Sequence, residues 1–126
     1  MKILLDTHIL IWLLKGDKKI ASERIRQIED RNNELFVSIA SFWEITIKAS
    51  IGKLELYKSI TEVSSFCHFL GMKILEISLT DLEILGKLEF HHNDPFDRIL
   101  ISTAINQDLL LMTNDEKFDQ YPIKII

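Results

Sequence analysis

Three short runs of adjacent apolar residues constrain this chain more than any other feature: Ile3-Leu4-Leu5, Leu35-Phe36-Val37 and Leu109-Leu110-Leu111-Met112. Successive side chains of a strand point to opposite faces of its sheet, so a strand with one wet face alternates polar and apolar residues. A run with no polar residue is therefore covered on both faces. Between the runs, apolar residues recur at helical spacing: Ile20, Ile25 and Ile28, then Phe42, Ile45 and Ala49, then Ile60, Val63, Cys67 and Leu70. Strands of this kind alternating with helices imply a parallel sheet with helices on both sides. The expected fold is an α/β, three-layer α/β/α sandwich around four or five parallel strands, with Lys73–Ile77 and Ile123–Ile125 completing the sheet. Helices are predicted over residues 8–15, closed by Gly16, over 40–51, closed by Gly52, and over 78–88 and 95–107.

At 126 residues, with 47% hydrophobic and 27% charged residues, the chain is expected to form a single domain over residues 1–126. A net charge of −4 provides no general attraction for nucleic acid, so a polyanionic partner needs a local basic patch or bound cations. The single cysteine, Cys67, reads as a small core residue in a reducing, cytoplasmic setting. Asp6 and His8 interrupt the apolar N-terminus, which argues against a signal peptide, and no apolar stretch has the length of a membrane span.

Open parallel sheets gather functional groups at the carboxyl ends of their strands. Asp6 ends the first strand and Asp115 follows the Leu109–Met112 strand. Glu44 lies in the predicted first turn of the helix after Leu35–Val37, and Asp94 and Asp97 open the helix before the Leu109–Met112 strand. Each has an ordinary structural reading. Ser41-Phe42-Trp43-Glu44 fits a capping box. Asp94-Pro95-Phe96-Asp97 fits a helix start with Asp94 as N-cap and Pro95 at the first position. Asp6-Thr7 fits a strand-end turn, and Asp115 fits a cap for Glu116-Lys117-Phe118.

Taken together, these acids are harder to explain as caps. Ionised carboxylates converging on one sheet edge repel, and helix dipoles recover only about 0.3–1 kcal/mol each. A hard divalent cation, Mg²⁺ or Mn²⁺, relieves that repulsion, whereas there is no Cys/His cluster of zinc type. Such a site, keeping water on its ion, suits phosphodiester hydrolysis.

The motifs Leu4-Leu5-Asp6-Thr7-His8, Ser38-Ile39-Ala40-Ser41-Phe42-Trp43-Glu44-Ile45, His92-Asn93-Asp94-Pro95-Phe96-Asp97-Arg98 and Thr113-Asn114-Asp115 resemble, in order and spacing, those of PIN-domain ribonucleases. The resemblance is specifically to the VapC-like toxins of type II toxin–antitoxin pairs and covers nearly the whole chain. It implies a Mg²⁺-dependent endoribonuclease with Mn²⁺ as a substitute, whose catalytic acids are Asp6, Glu44, Asp97 and Asp115. Asp6, Asp97 and Asp115 would hold the metal, and Glu44 would bind metal or orient the attacking water. It also implies an RNA substrate, a cognate antitoxin and a homodimer. Asp94 is then a supporting residue or the cap that directs Asp97. Thr113 would position Asp115, contact phosphate or serve as a turn hydroxyl.

Arg98 is compatible with phosphate, with an antitoxin carboxylate or with a solvated helix face. His8, His91 and His92 flank the proposed site and are compatible with RNA contact or with an ordinary structural role, and none is assigned a catalytic one. Trp12 and Trp43 read as core or interface residues, and Lys48 and Lys53 as a small basic rim for RNA or a solvated face. A haloacid-dehalogenase-type phosphatase would need a second Asp two residues after Asp6, where His8 stands. A non-catalytic phospho-receiver would need an acidic pair after the first strand and an acceptor Asp after the third, and neither is present. A protein-binding α/β domain is the other non-catalytic alternative.

Overall fold

The structure, a computed structural model, describes all 126 residues. The elements are β1 (Lys2–Leu5), α1 (Thr7–Lys15), α2 (Ser22–Glu29), β2 (Glu34–Ser38), α3 (Ile39–Ser50), α4 (Ile60–Phe69), β3 (Lys73–Leu75), α5 (Leu79–Lys87), α6 (Pro95–Gln107) and β4 (Leu110–Met112), followed by a 3-10 turn, Glu116–Gln120. The four strands form one parallel sheet in the order β3-β2-β1-β4.

The apolar runs are buried on both faces, as their composition requires. Ile3 and Leu5 of β1 point into a core shared with α1, α2, α3 and α4. Leu4 between them points the other way, with Phe36 and Leu111, into a second core closed by α6 and by Phe118 and Tyr121. The result is the expected three-layer sandwich, with α5 packed on α6 at its outer side. No helix is long and apolar enough to cross a membrane.

Local signals set the helix ends. Gly16 closes α1 at φ +63°, a left-handed conformation that glycine adopts without the Cβ clash of other residues. Two expectations are corrected. The strand predicted at Ile123–Ile125 reduces to one bridge, Leu111 to Ile125, because the turn at Tyr121–Ile123, with Pro122 inside it, leaves only Leu111 of the short β4 as partner. The capping box predicted for Ser41 and Glu44 does not form. Strand β2 runs to Ser38, whose hydroxyl accepts the Ala40 N–H at 3.0 Å, so the helix starts at Ile39 and Glu44 falls in its second turn. Ser41 is buried instead, with its Oγ 2.9 Å from Thr7 Oγ1.

The strand order fixes where a site can form. The chain moves outward from β1 to β2 to β3, then returns to the opposite side of β1 for β4. The crevice between the carboxyl ends of β1 and β4 is thus the topological switch point, where open parallel sheets bind ligands.

Candidate metal centre

Asp6 follows β1 at this crevice, its N–H bonded to Met112 O of β4 at 3.1 Å. Its carboxylate is divided between two tasks. Oδ1 accepts the Ile9 N–H at 2.8 Å and caps α1, while Oδ2 accepts a short hydrogen bond from the Thr113 hydroxyl. Thr113 Oγ1 in turn accepts the Asp115 N–H at 3.0 Å. Asp115 repeats the division: Oδ1 accepts the Lys117 N–H at 2.9 Å, and Oδ2 lies 3.0 Å from His92 Nε2. The same Nε2 is 3.0 Å from Asp97 Oδ2. One unbroken chain of contacts therefore joins Asp6, Thr113, Asp115, His92 and Asp97.

Asp94 starts α6 as predicted. Its Oδ1 accepts the N–H groups of Phe96 and Asp97 at 2.8 and 3.2 Å, with Pro95 at the first position, where no N–H is needed. This cap places Asp97 one turn into the crevice. Glu44 contributes from α3. It is 3% exposed, with Oε2 held 2.7 Å from Lys48 Nζ and Oε1 buried without a hydrogen-bond partner.

So much negative charge with so little water raises the cost of ionisation. The Asp97 carboxyl is pushed up to about 8, first by burial and then by the charges of Asp94, Glu44, Asp6 and Asp115. Burial also raises Asp6, against the opposing hydrogen bonds from Thr113 and Ile9. At Asp115 burial pulls upward, but the hydrogen bonds from Lys117 and His92 outweigh it and hold the acid below its ordinary value. The arrangement fits a hard divalent cation on two grounds. Its acids are oxygen donors that resist ionising together, and a buried Glu44 oxygen has no protein partner. The ligand-type atoms of His92, Asp97 and Asp115 all lie within 4.8 Å of one another.

A family model for the PIN domain matches residues 3–124. The chain belongs to the PIN domain family. Its fold is similar to a chain of VapBC-1 from nontypeable Haemophilus influenzae, with TM-score 0.74 and 23% identity over 100% of this chain and 97% of that one. It is similar also to a chain of DNA-bound VapBC from Salmonella typhimurium (TM-score 0.73, 18% identity, 100% and 97% covered). A third likeness is to VapBC2 from Rickettsia felis bound to a promoter DNA fragment (TM-score 0.71, 21% identity, 99% and 96% covered). No curated protein matches the sequence significantly.

In this PIN domain Asp6, Thr113 and Asp115 are linked by hydrogen bonds, His92 Nε2 bonds Asp115 and lies 3.0 Å from Asp97, and Glu44 and Asp94 act on Asp97 by charge. Arg98 lies outside the cluster, and neither ligand binding nor a solvated face describes it. The residue is 6% exposed, and its guanidinium donates to carbonyls of Glu89 at 2.9 Å, Leu88 at 3.2 Å, and Leu85 and His92 at 3.4 Å. It closes the end of α5 and ties down the following loop, and the Phe90 ring covers it with its centroid 3.9 Å away. Lys48 is occupied by Glu44, and Trp43 is 59% exposed, edge-on to Phe96.

Tyr121 escaped the sequence reading, and His92 was placed beside the site without a role in it. His92 is buried between two of the acids, and Tyr121 anchors the loop that carries it. The available signal for His92 was its place two residues before the α6 cap, which starts it at the same crevice. Tyr121 has no comparable local signature.

Proposed function

We propose that this PIN domain, a single unit over residues 1–126, is a Mg²⁺-dependent endoribonuclease and the toxin of a toxin–antitoxin pair. The observation that carries the reading is the convergence of Asp6, Glu44, Asp97 and Asp115 on the β1/β4 switch point, with Asp97 pushed up to about 8 by its neighbours and burial. A protein gains no stability from that crowding, whereas a cation site needs it. Asp6, Asp97 and Asp115 would hold Mg²⁺, or Mn²⁺ in its place. When bound, the ion supplies charge neutralisation at the phosphate and makes water acidic enough to attack near neutral pH.

The remaining chemistry belongs to the chain. Glu44 keeps Oε2 on Lys48 and leaves Oε1 available to accept a hydrogen bond from the attacking water, orienting it toward phosphorus. Water oxygen bonds to phosphorus and gives up one proton, the P–O bond to a ribose oxygen breaks, and that oxygen takes up a proton, so that one water is consumed for each bond cut. Thr113 holds Asp6 and Asp115 in register, and Asp94 directs Asp97 through the α6 cap. The similar folds come from structures described as VapBC or toxin–antitoxin complexes, which supports a cognate antitoxin here. A homodimer and a cytoplasmic location belong to the same reading.

The test is cleavage of an RNA panel by the purified chain with Mg²⁺ or with EDTA. Asp6→Asn and Asp97→Asn should each lower Mg²⁺-dependent cleavage at least a hundredfold. Unchanged cleavage by either variant would overturn its assignment. Light scattering should give the mass of two chains, and a monomer would count against the dimer.

A further inference from the structure

His92 is held from every side. The ring is 7% exposed and sits edge-on to Phe118, with centroids 5.5 Å apart. Its backbone N–H donates to the Tyr121 hydroxyl at 2.8 Å, as does that of His91 at 3.0 Å, and the hydroxyl donates onward to Glu89 O at 2.8 Å. Arg98 grips the same loop through the Glu89 and His92 carbonyls. Two anchors thus fix a histidine that neither the capping pattern nor the acid set requires.

The ring nitrogens have different work. Nδ1 lies 3.2 Å from the Asp94 N–H and accepts from it, which uses the Nδ1 lone pair. In a neutral imidazole the proton then sits on Nε2, the nitrogen 3.0 Å from both Asp97 Oδ2 and Asp115 Oδ2. Nε2 is therefore a donor facing two carboxylates. Binding a cation through Nε2 would require the proton on Nδ1, opposite the Asp94 N–H, and the two donors would collide. The Asp94 main chain, whose side chain caps α6, thereby fixes the tautomer of the ring.

We infer that His92 is a positioning residue for the metal centre: standing between the two acids, with its Nε2–H bonded to Asp115 Oδ2 and Nε2 3.0 Å from Asp97 Oδ2, it holds the two carboxylates at the separation a common cation needs. The inference rests on the metal-site reading above and adds to it a group outside the acid set. Partners that orient ligands from behind commonly matter 10–100-fold in metal affinity. His92 differs in standing between two ligands that come from different elements, α6 and the turn after β4.

The experiment uses the full chain and Mn²⁺ as probe. His92→Phe keeps a planar ring against Phe118 but removes both nitrogens, and His92→Gln restores an N–H near the position of Nε2. Mn²⁺ affinity, measured by calorimetry, should fall about 10–100-fold in His92→Phe and recover to within a few-fold of wild type in His92→Gln. Circular dichroism should show all three folded. If His92→Phe is unfolded, the comparison of wild type with His92→Gln and the spectroscopic arm decide. Pulsed EPR of Mn²⁺ in the wild type should show no directly coordinated histidine nitrogen. Equal Mn²⁺ affinity in a folded His92→Phe, a loss of ten-fold or more in His92→Gln, or nitrogen coordination in the wild type overturns the inference while leaving the metal centre in place. No Mn²⁺ binding by the wild type overturns the metal-site reading itself, and this inference with it.

Discussion

Replacing Asp97 with asparagine should stabilise the metal-free protein. The carboxyl is pushed from 3.8 to about 8 in the folded chain, so between those values the folded state keeps a proton that the unfolded state releases. A group that binds more protons when folded makes stability fall as pH rises, here from about pH 4 until the loss is complete above about pH 8. At 1.36 kcal/mol per pH unit the ceiling is about 5–6 kcal/mol, and relaxation of the neighbouring acids reduces it to about 2–4 kcal/mol. Asparagine carries no charge at any pH and nearly matches the shape of the carboxyl, keeping an oxygen to face His92 Nε2, so it removes the penalty with little change in packing. For a chain of this size each kcal/mol moves Tm by roughly 3–5 °C. Thermal melts in EDTA at pH 5, 7 and 9 should show a small difference at pH 5 that widens with pH, Asp97→Asn being higher by about 6–20 °C at pH 9. Adding Mg²⁺ should then raise wild type by about 2.7 kcal/mol at a hundredfold excess over its Kd and raise the variant much less. An Asp97→Asn variant that melts at or below wild type at pH 9 in EDTA would refute the electrostatic account of the site.

Two further outcomes follow from the same contacts. Arg98→Met should lower stability by about 2–4 kcal/mol, read from the urea midpoint, because it leaves a set of buried carbonyls without their donor; a loss below about 0.5 kcal/mol would mean that water replaces the guanidinium freely. Thr113→Val keeps the side-chain volume but breaks both links between Asp6 and Asp115, so Mg²⁺ affinity should drop about 10–100-fold with a modest fall in Tm, and unchanged affinity would show that the acids hold their places unaided.

How much of this was legible in the sequence follows from how local each signal is. Ile3-Leu4-Leu5 announces a doubly covered strand by itself, since composition alone decides which faces are buried. The Asp94-Pro95 start of α6 is equally local: a side-chain acceptor followed by a residue with no N–H to satisfy. The start of α3 was ambiguous because Ser38 and Ser41 are both competent caps, and only the length of β2 decides between them. Arg98 and His92 were opaque for a different reason. Their roles depend on Leu85, Glu89, Asp115 and Tyr121, brought near by the packing of α5 on α6 and by the turn after β4. Nothing in the neighbourhood of Arg98 in the sequence distinguishes a buried cation satisfied by carbonyls from an exposed one.

The opposition between cap and ligand as readings of these acids dissolves in the geometry. A carboxylate has two oxygens, and Asp6 and Asp115 each spend one on a helix or turn N-terminus and turn the other toward the cluster. The capping oxygen fixes the carboxylate plane, so the second oxygen would need no further ordering to meet the cation proposed above. Asp94 applies the same principle at one remove, capping α6 so that Asp97 is delivered three residues later. Helix N-termini also lend partial positive charge, which makes them places where anions can be concentrated at reduced cost. Helix starts at the carboxyl edge of a parallel sheet therefore favour an acidic metal centre for the same reason that they favour caps. The capping signatures along this chain are the means by which its acids are aimed.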